Sequence, residues 1–274
     1  MKKKVLLFST VVALIACTAN QSQAGNKKHS LVVYYSLSGN TDKVANIIQK
    51  KTGADIERIE TVNPYSGDMG AIAGAFMGER RDGKFRDLKP MKAKVADYDT
   101  IYVGYPIWAG TFAGPMHSFV KTADLKGKVI VPFCTFGSGG NTSIPDLKAA
   151  LPGSTITSSW YGVRAARVDK AEAEIETFLI NLGALKGKKT SLPAFSAQHA
   201  VSAEEKAIFD KACGDYPMPL GTPSTVGTRS LDNATEYLFT CNSKDMQGRE
   251  SKQLIYVTKG NAEGCVPEFT QVER

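Results

Sequence analysis

Between residues 30 and 184 the chain alternates short apolar runs with stretches whose apolar positions recur every three to four residues. Residues 31–35 (LVVYY) read as a buried strand, and 41–51 as a helix on which Val44, Ile47 and Ile48 form one stripe. Further strands are predicted over 55–59, 98–104, 129–133 and 155–160, the first of these alternating as a half-exposed strand does. Helices are predicted over 67–78, where recurrent glycine lowers the propensity, over 115–120, and through 168–182, where Ile175, Phe178, Leu179 and Leu182 share a face. Five strands with intervening helices predict an α/β, doubly wound parallel sheet covered on both faces.

The pattern changes at both ends of this region. Residues 185–200 read as a polar linker, and Ser202 with Glu205 forms a capping box for a helix through Lys211. Short alternating segments over 225–231, 236–242, 253–258 and 266–272 then predict a small antiparallel sheet, so that 201–274 is a second, α+β domain. At the N-terminus Lys2, Lys3 and Lys4 precede an apolar run over 5–16 that is too short to span a bilayer comfortably. This is an export signal over 1–16. Its end, Leu14-Ile15-Ala16-Cys17, resembles a bacterial lipoprotein processing site, which makes Cys17 a lipid anchor and 17–28 a flexible tether. The alternative is an ordinary secretory signal in which Cys17 is incidental. The expected location is the cell envelope, lipid-anchored and facing the periplasm, with the cell surface also open.

Composition fits a folded protein rather than a disordered or fibrous one, with 42% hydrophobic and 22% charged residues. The formal charge is +7, but signal removal takes three lysines and no acid, leaving 31 basic against 27 acidic residues and an excess of +4. Without a basic stripe carrying interleaved aromatics, nucleic acid is not an expected partner, and the run over 186–189 reads as a surface turn.

Three segments at strand ends carry the candidate chemistry. Ser36, Leu37, Ser38, Gly39, Asn40 and Thr41 lie between the first strand and first helix, where free amides and short hydroxyl side chains can surround a phosphate without a lysine. Alone, such a turn is equally a helix cap. Residues 105–111 follow the third strand and 134–142 the fourth, so all three segments meet at the carboxyl edge of the sheet, where open α/β folds bind ligands. With an aromatic wall and flexible backbone, the natural occupant is a flavin. In the simpler alternative Trp108 and Phe136 only close the apolar end of the sheet.

Residues 36–41 resemble the phosphate loop of flavodoxins, and Gly104-Tyr105-Pro106-Ile107-Trp108 and Pro132-Phe133-Cys134-Thr135-Phe136-Gly137-Ser138-Gly139 resemble the flavin-ring loops of a flavodoxin-like bacterial family. The resemblance covers residues 29–184 and implies strand order 2-1-3-4-5 with FMN as cofactor. It implies that Ser36, Ser38, Gly39, Asn40 and Thr41 hold the phosphate. Pro106, Ile107, Trp108, Ala109 and Gly110 would then pass one side of the isoalloxazine, and Phe136, Gly137, Ser138, Gly139, Gly140 and Asn141 would meet its other edge. Flavodoxins are commonly acidic, so the basic charge departs from the family and leaves the electron partner open. The second domain faintly resembles the cystatin-like arrangement of one helix on a curled sheet.

Other chemistries find little support. His29, His117 and His199 are scattered and make no metal set, no serine has a Gly-x-Ser-x-Gly context, and Asp146, Asp169 and Glu172 form no catalytic carboxylate pair. Among the remaining cysteines a structural Cys241–Cys265 bridge is favoured, Cys213 being free or exchanging roles, with Cys134 buried at a strand end. The expected function is an FMN electron carrier of the envelope, with an unidentified redox protein or small electron acceptor as partner. The alternatives are an FMN-dependent reductase of a quinone-like acceptor, and a cofactor-free or phosphate-ligand-binding lipoprotein whose second domain binds a protein. With no twin-arginine pair in the signal, the chain is expected to cross unfolded and to capture FMN after translocation.

Overall fold

The computed structural model describes residues 29–139, 143–244 and 248–273. The expected signal 1–16, the expected anchor Cys17 and tether 17–28, and Gly140 and Asn141 of the third loop lie outside the described residues. Strand β1 (Ser30–Tyr34) leads into α1 (Asn40–Thr52), followed by β2 (Asp55–Arg58) and α2 (Met69–Asp82). Then come β3 (Thr100–Trp108), a two-residue arm β4 (Thr111–Phe112), α3 (Gly114–Thr122) and β5 (Val129–Phe136). Helix α4 (Ser143–Ala150), the short strands β6 (Thr155–Ile156) and β7 (Tyr161–Arg164), and α5 (Glu172–Leu182) complete the region.

Strands run in the order β2-β1-β3-β5 and then a fifth position shared by β6 and β7, all parallel. This is the flavodoxin-like 2-1-3-4-5 sheet. Side-chain alternation divides its core in two. Leu31, Val33, Ile101, Val103 and Ile130 pack with Met116 and Phe119 of α3 and Leu147 of α4. On the opposite face Val32, Tyr102, Val131 and Phe133 pack with Val44 and Ile48 of α1 and Ile175 and Leu179 of α5.

The structure departs from the sequence expectation in three places. Strand β3 does not stop at Gly104 but continues to Trp108, and β4 pairs back on it through Ile107↔Phe112 and Trp108↔Thr111. Ala109 (φ 46°) and Gly110 (φ 82°) form the tight two-residue turn, a mirror-image geometry that matches strand twist. The fifth strand is broken because Thr157 donates its hydroxyl to the Ser159 carbonyl at 2.7 Å while the Trp160 side chain folds back over Gly162. Helix α4 was not expected; Ile144 and Leu147 supply its short buried face.

The second sheet is antiparallel, in the order β12-β11-β10-β9-β8: β8 (His199–Ala200), β9 (Thr222–Ser230), β10 (Ala234–Lys244), β11 (Glu250–Gly260) and β12 (Glu268–Glu273). Helix α6 (Ala203–Cys213) packs Ile208 and Phe209 against Val226, Phe239 and Ile255, and its Ser202–Glu205 capping box is formed as the sequence predicts. Part of the expected linker already belongs here, since Ser196 N donates to Thr228 O at 2.8 Å and β8 pairs with β9.

The expected Cys241–Cys265 bridge is not formed. Cys241 lies opposite Gln253 in the β10–β11 pairing, whereas Cys265 abuts Gly260 at the other end of the same strand pair, and the described cysteines are all free. Cys241 and Cys213 are instead packed in the domain core. Among the described residues no helix is long and apolar enough to cross a membrane.

Gly104 pairs with Phe133 across β3 and β5, and a Cβ there would lie 2.1 Å from the Phe133 ring. Gly104→Ala is therefore expected to destabilise the protein by about 1–3 kcal/mol through overpacking. Urea unfolding checks this; an unchanged midpoint would contradict the packing at the root of the second loop.

Candidate functional site

The first loop leaves β1 between β2 and β3. Its Gly39 is the N-cap of α1 in a left-handed conformation (φ 88°) and supplies no side-chain cap, unlike Asp68 and Ser202 at the starts of α2 and α6. The positive end of a thirteen-residue helix thus faces the sheet edge without a side-chain cap from its N-cap residue. The three hydroxyls of this loop differ in their surroundings. Ser36 is buried and accepts from Gly39 N at 3.1 Å, and Thr41 is buried with its hydroxyl 2.8 Å from that of Thr135 on β5. Ser38 is exposed and accepts from the Asn40 amide at 3.2 Å. Donors for an anion therefore come from backbone amides, Ser38 and Asn40; the Ser36 hydroxyl, an acceptor from Gly39 N, keeps its own hydrogen, and the Thr41 and Thr135 hydroxyls share one bond.

Arg58, at the end of β2, was not anticipated. Its Nη2 donates to Ser36 O at 3.0 Å, and its guanidinium lies 3.7 Å from Asp42. Asp42 stands in the first turn of α1, but its carboxylate also accepts the Tyr34 hydroxyl, so its charge is partly met before it opposes an anion. A cleft of about 270 Å³ opens beside this loop between Leu37, Arg58, Thr61 and Tyr65. The available signal was topological: in a 2-1-3 order, the residue ending the second strand stands next to the first loop.

In the second segment Trp108 is half-buried and packs edge-on against Tyr35, Tyr65 and Phe76 at centroid distances of 5.8, 4.9 and 5.4 Å. Tyr65 donates its hydroxyl to Glu79, which also accepts Arg86 Nε at 2.8 Å, and the Arg86 guanidinium stacks 3.6 Å above the Tyr65 ring. Burial, reinforced by Glu79, pushes the Tyr65 phenol well up and keeps it neutral. Pro106, Ile107 and Trp108 belong to β3, with Ala109 and Gly110 as the exposed hairpin tip. Arg80 of α2 donates to Ala109 O at 3.2 Å. Ile107, Trp108 and Ala109 also line an apolar cleft of about 180 Å³ with Met69, Phe76 and Met77.

In the third segment Phe136 ends β5 and is buried, while Gly137, Ser138 and Gly139 begin the loop. β1, β3 and β5 are direct neighbours in the sheet, so all three segments emerge at one edge; Tyr35 N donates to Gly104 O at 3.1 Å, and the Thr41–Thr135 pair spans the set. The arrangement offers an uncapped helix terminus with the Arg58 guanidinium beside it and an aromatic hairpin. Among the described residues there is no cluster of metal-ligating side chains.

His117 is not at this edge as a base. Its ring is stacked between Phe85 at 4.2 Å and Phe112 at 3.9 Å, and its Nε2 is buried with no hydrogen-bond partner among the described residues.

The flavodoxin family model matches residues 29–161, a span that contains β1, β3 and β5. A candidate flavoprotein from Bacteroides eggerthii is similar at 28% identity, with TM-score 0.49, the match covering 58% of this chain and 99% of that one. One from Bacteroides uniformis is 23% identical with TM-score 0.48, over 54% and 97% of the two chains. A flavoprotein from Lactobacillus acidophilus, solved in complex with FMN, is 21% identical with TM-score 0.44, over 52% and 97%.

Burial lowers the His117 pKa from 6.5 to about 4 against a weaker opposing backbone bond to Phe112. Between these values the unfolded chain binds a proton that the folded chain does not, so stability is retained above pH 6.5 and falls as pH drops toward 4. Urea midpoints of wild type and His117→Gln across this window should converge on acidification; parallel profiles would contradict a neutral, buried imidazole.

Proposed function

We propose that the protein binds FMN at the carboxyl edge of its first sheet and serves as an electron-transfer flavoprotein of the cell envelope, tethered through Cys17. The carrying observation is the glycine-capped N-terminus of α1, open to a dianion and placed beside an aromatic hairpin at the same edge. The match of the flavodoxin family model over residues 29–161 supports the reading.

When bound, FMN supplies one- and two-electron transfer through its ring system. The chain's own residues bind and surround it. Backbone amides at the start of α1, with Ser38 and Asn40, would hold the phosphate, while Arg58 offsets its charge and that of Asp42. Ile107, Trp108 and the hairpin tip would bound one side of the ring, and Gly137, Ser138 and Gly139 its other edge; Gly140 and Asn141 are assigned with them from sequence. The bulk of Trp108 excludes water there, and its edge-on aromatic neighbours fix its orientation.

The partner is an electron carrier or a small acceptor reached after export. A second reading, reduction of a quinone-like acceptor, is favoured by the apolar cleft beside Trp108, where Met69 and Met77 are exposed.

Titration of purified mature protein with FMN and with riboflavin tests the assignment. Two charge-assisted hydrogen bonds to the phosphate, each worth about 1.5–3 kcal/mol, predict that FMN binds at least about a hundredfold tighter. Equal affinities would contradict the phosphate loop, and no binding of either would contradict the flavoprotein.

A further inference from the structure

The second domain reaches the flavin edge of the first. β12 runs alongside β7, and its Val272 N donates to the carbonyl of Ser138 at 3.0 Å. The Val272 carbonyl in turn lies against Gly139 so closely that a Cβ on that glycine would be 2.1 Å from its oxygen. Gly139 is therefore required by the second domain, whatever it also offers a ring.

Arg164, the last residue of β7, bridges the two domains. Its Nε donates to Gly137 O and its Nη1 to Phe269 O, both at 2.9 Å, so one planar guanidinium holds the backbone of the third loop and of β12 together. The same group stacks 4.1 Å over the Phe269 ring and faces Tyr216 at 5.4 Å. One turn further, Arg167 Nε pairs with Glu268 at 3.2 Å, and Lys170 pairs with the same carboxylate. Three consecutive loop residues, 137–139, thus take contacts from Arg164 or from Val272.

We propose that the C-terminal domain is a clamp on the third cofactor loop, with Arg164 as its positioning residue, so that docking of β12 sets how tightly FMN is held. This rests on the function proposed above. A loop with two glycines in three residues is intrinsically free to move, and its immobilisation before binding removes an ordering cost that the cofactor would otherwise meet. Arg164 acts through the Gly137 carbonyl rather than through the ring, and Lys at this position keeps the charge but cannot span both carbonyls in one plane.

Amide hydrogen exchange of 137–139 in the FMN-free protein, with FMN affinity and the visible band of the bound flavin, tests the proposal in full-length mature wild type, Arg164→Ala, Arg164→Lys and Glu268→Gln. The two Arg164 variants should exchange faster at 137–139 and bind FMN about tenfold more weakly with an altered band. Glu268→Gln, which removes only the rim ion pairs with Arg167 and Lys170, should shift both in the same direction by a smaller factor and covers the case in which an Arg164 variant fails to fold. If wild type binds FMN and the folded variants match it in affinity and band, the clamp is overturned while the flavoprotein stands, even where exchange quickens. If wild type binds no FMN, the flavoprotein reading falls and the clamp's cofactor role with it.

Discussion

In the parallel register of β1, β3 and β5, Leu31, Ile101 and Ile130 stand in one row and Val32, Tyr102 and Val131 in the next. Each row faces a different helical layer, so a slip of one residue in any strand would move its apolar set to the wrong side. The register also decides where the loops begin. With these rows fixed, the chain leaves β1 at Tyr34 beside Gly104, and Thr41 reaches Thr135. That buried hydroxyl pair stakes the start of α1 to the neighbouring strand end; removal of one partner would leave a buried polar group unmet, at about 1–3 kcal/mol.

The chemistry at this edge is built mainly from backbone and from aromatic bulk. An uncapped helix terminus holds its positive potential without a titratable group, and the neutral Tyr65 phenol and His117 imidazole add no charge nearby. Arg58 and Asp42 form the charged pair beside the first loop, with Arg58 also bonded to the carbonyl of Ser36, and Glu79 with Arg86 forms another beside Tyr65. A site of this kind can bind a redox ring and tune it by packing and hydrogen bonding, which is the part of the task a protein performs for a flavin. The second domain meets this edge from outside, where Val272 N donates to Ser138 O and Arg164 links Gly137 O to Phe269 O.

Much of this was legible in the sequence because burial writes itself as periodicity. The apolar runs at 31–35 and 129–133 and the stripe of Ile175, Phe178 and Leu179 report which faces are covered, and the Ser202–Glu205 box marks a helix start through local hydrogen bonds. Less legible were features that depend on distant partners. Trp108 and Gly110 read as loop because the arm that extends the strand, Thr111 and Phe112, has no signal apart from its pairing. Ser36 and Thr41 read as phosphate donors, and nothing local shows that they also bond Gly39 N and Thr135. Gly139 read as a ring contact although Val272, far along the chain, fills the space beside it. The cysteine pairing failed for the same reason: strand register, invisible in spacing, puts Cys241 and Cys265 at opposite ends of one hairpin.

Phosphate bound at the start of α1 would be reported directly by its backbone amide resonances. In isotope-labelled mature protein, addition of FMN should shift the backbone amides of Gly39, Asn40 and Thr41, while riboflavin, which shares the ring but lacks the phosphate, should leave those three nearly in place and move residues around Trp108. Shifts absent from the start of α1, or equal for the two ligands there, would contradict a phosphate site at that terminus.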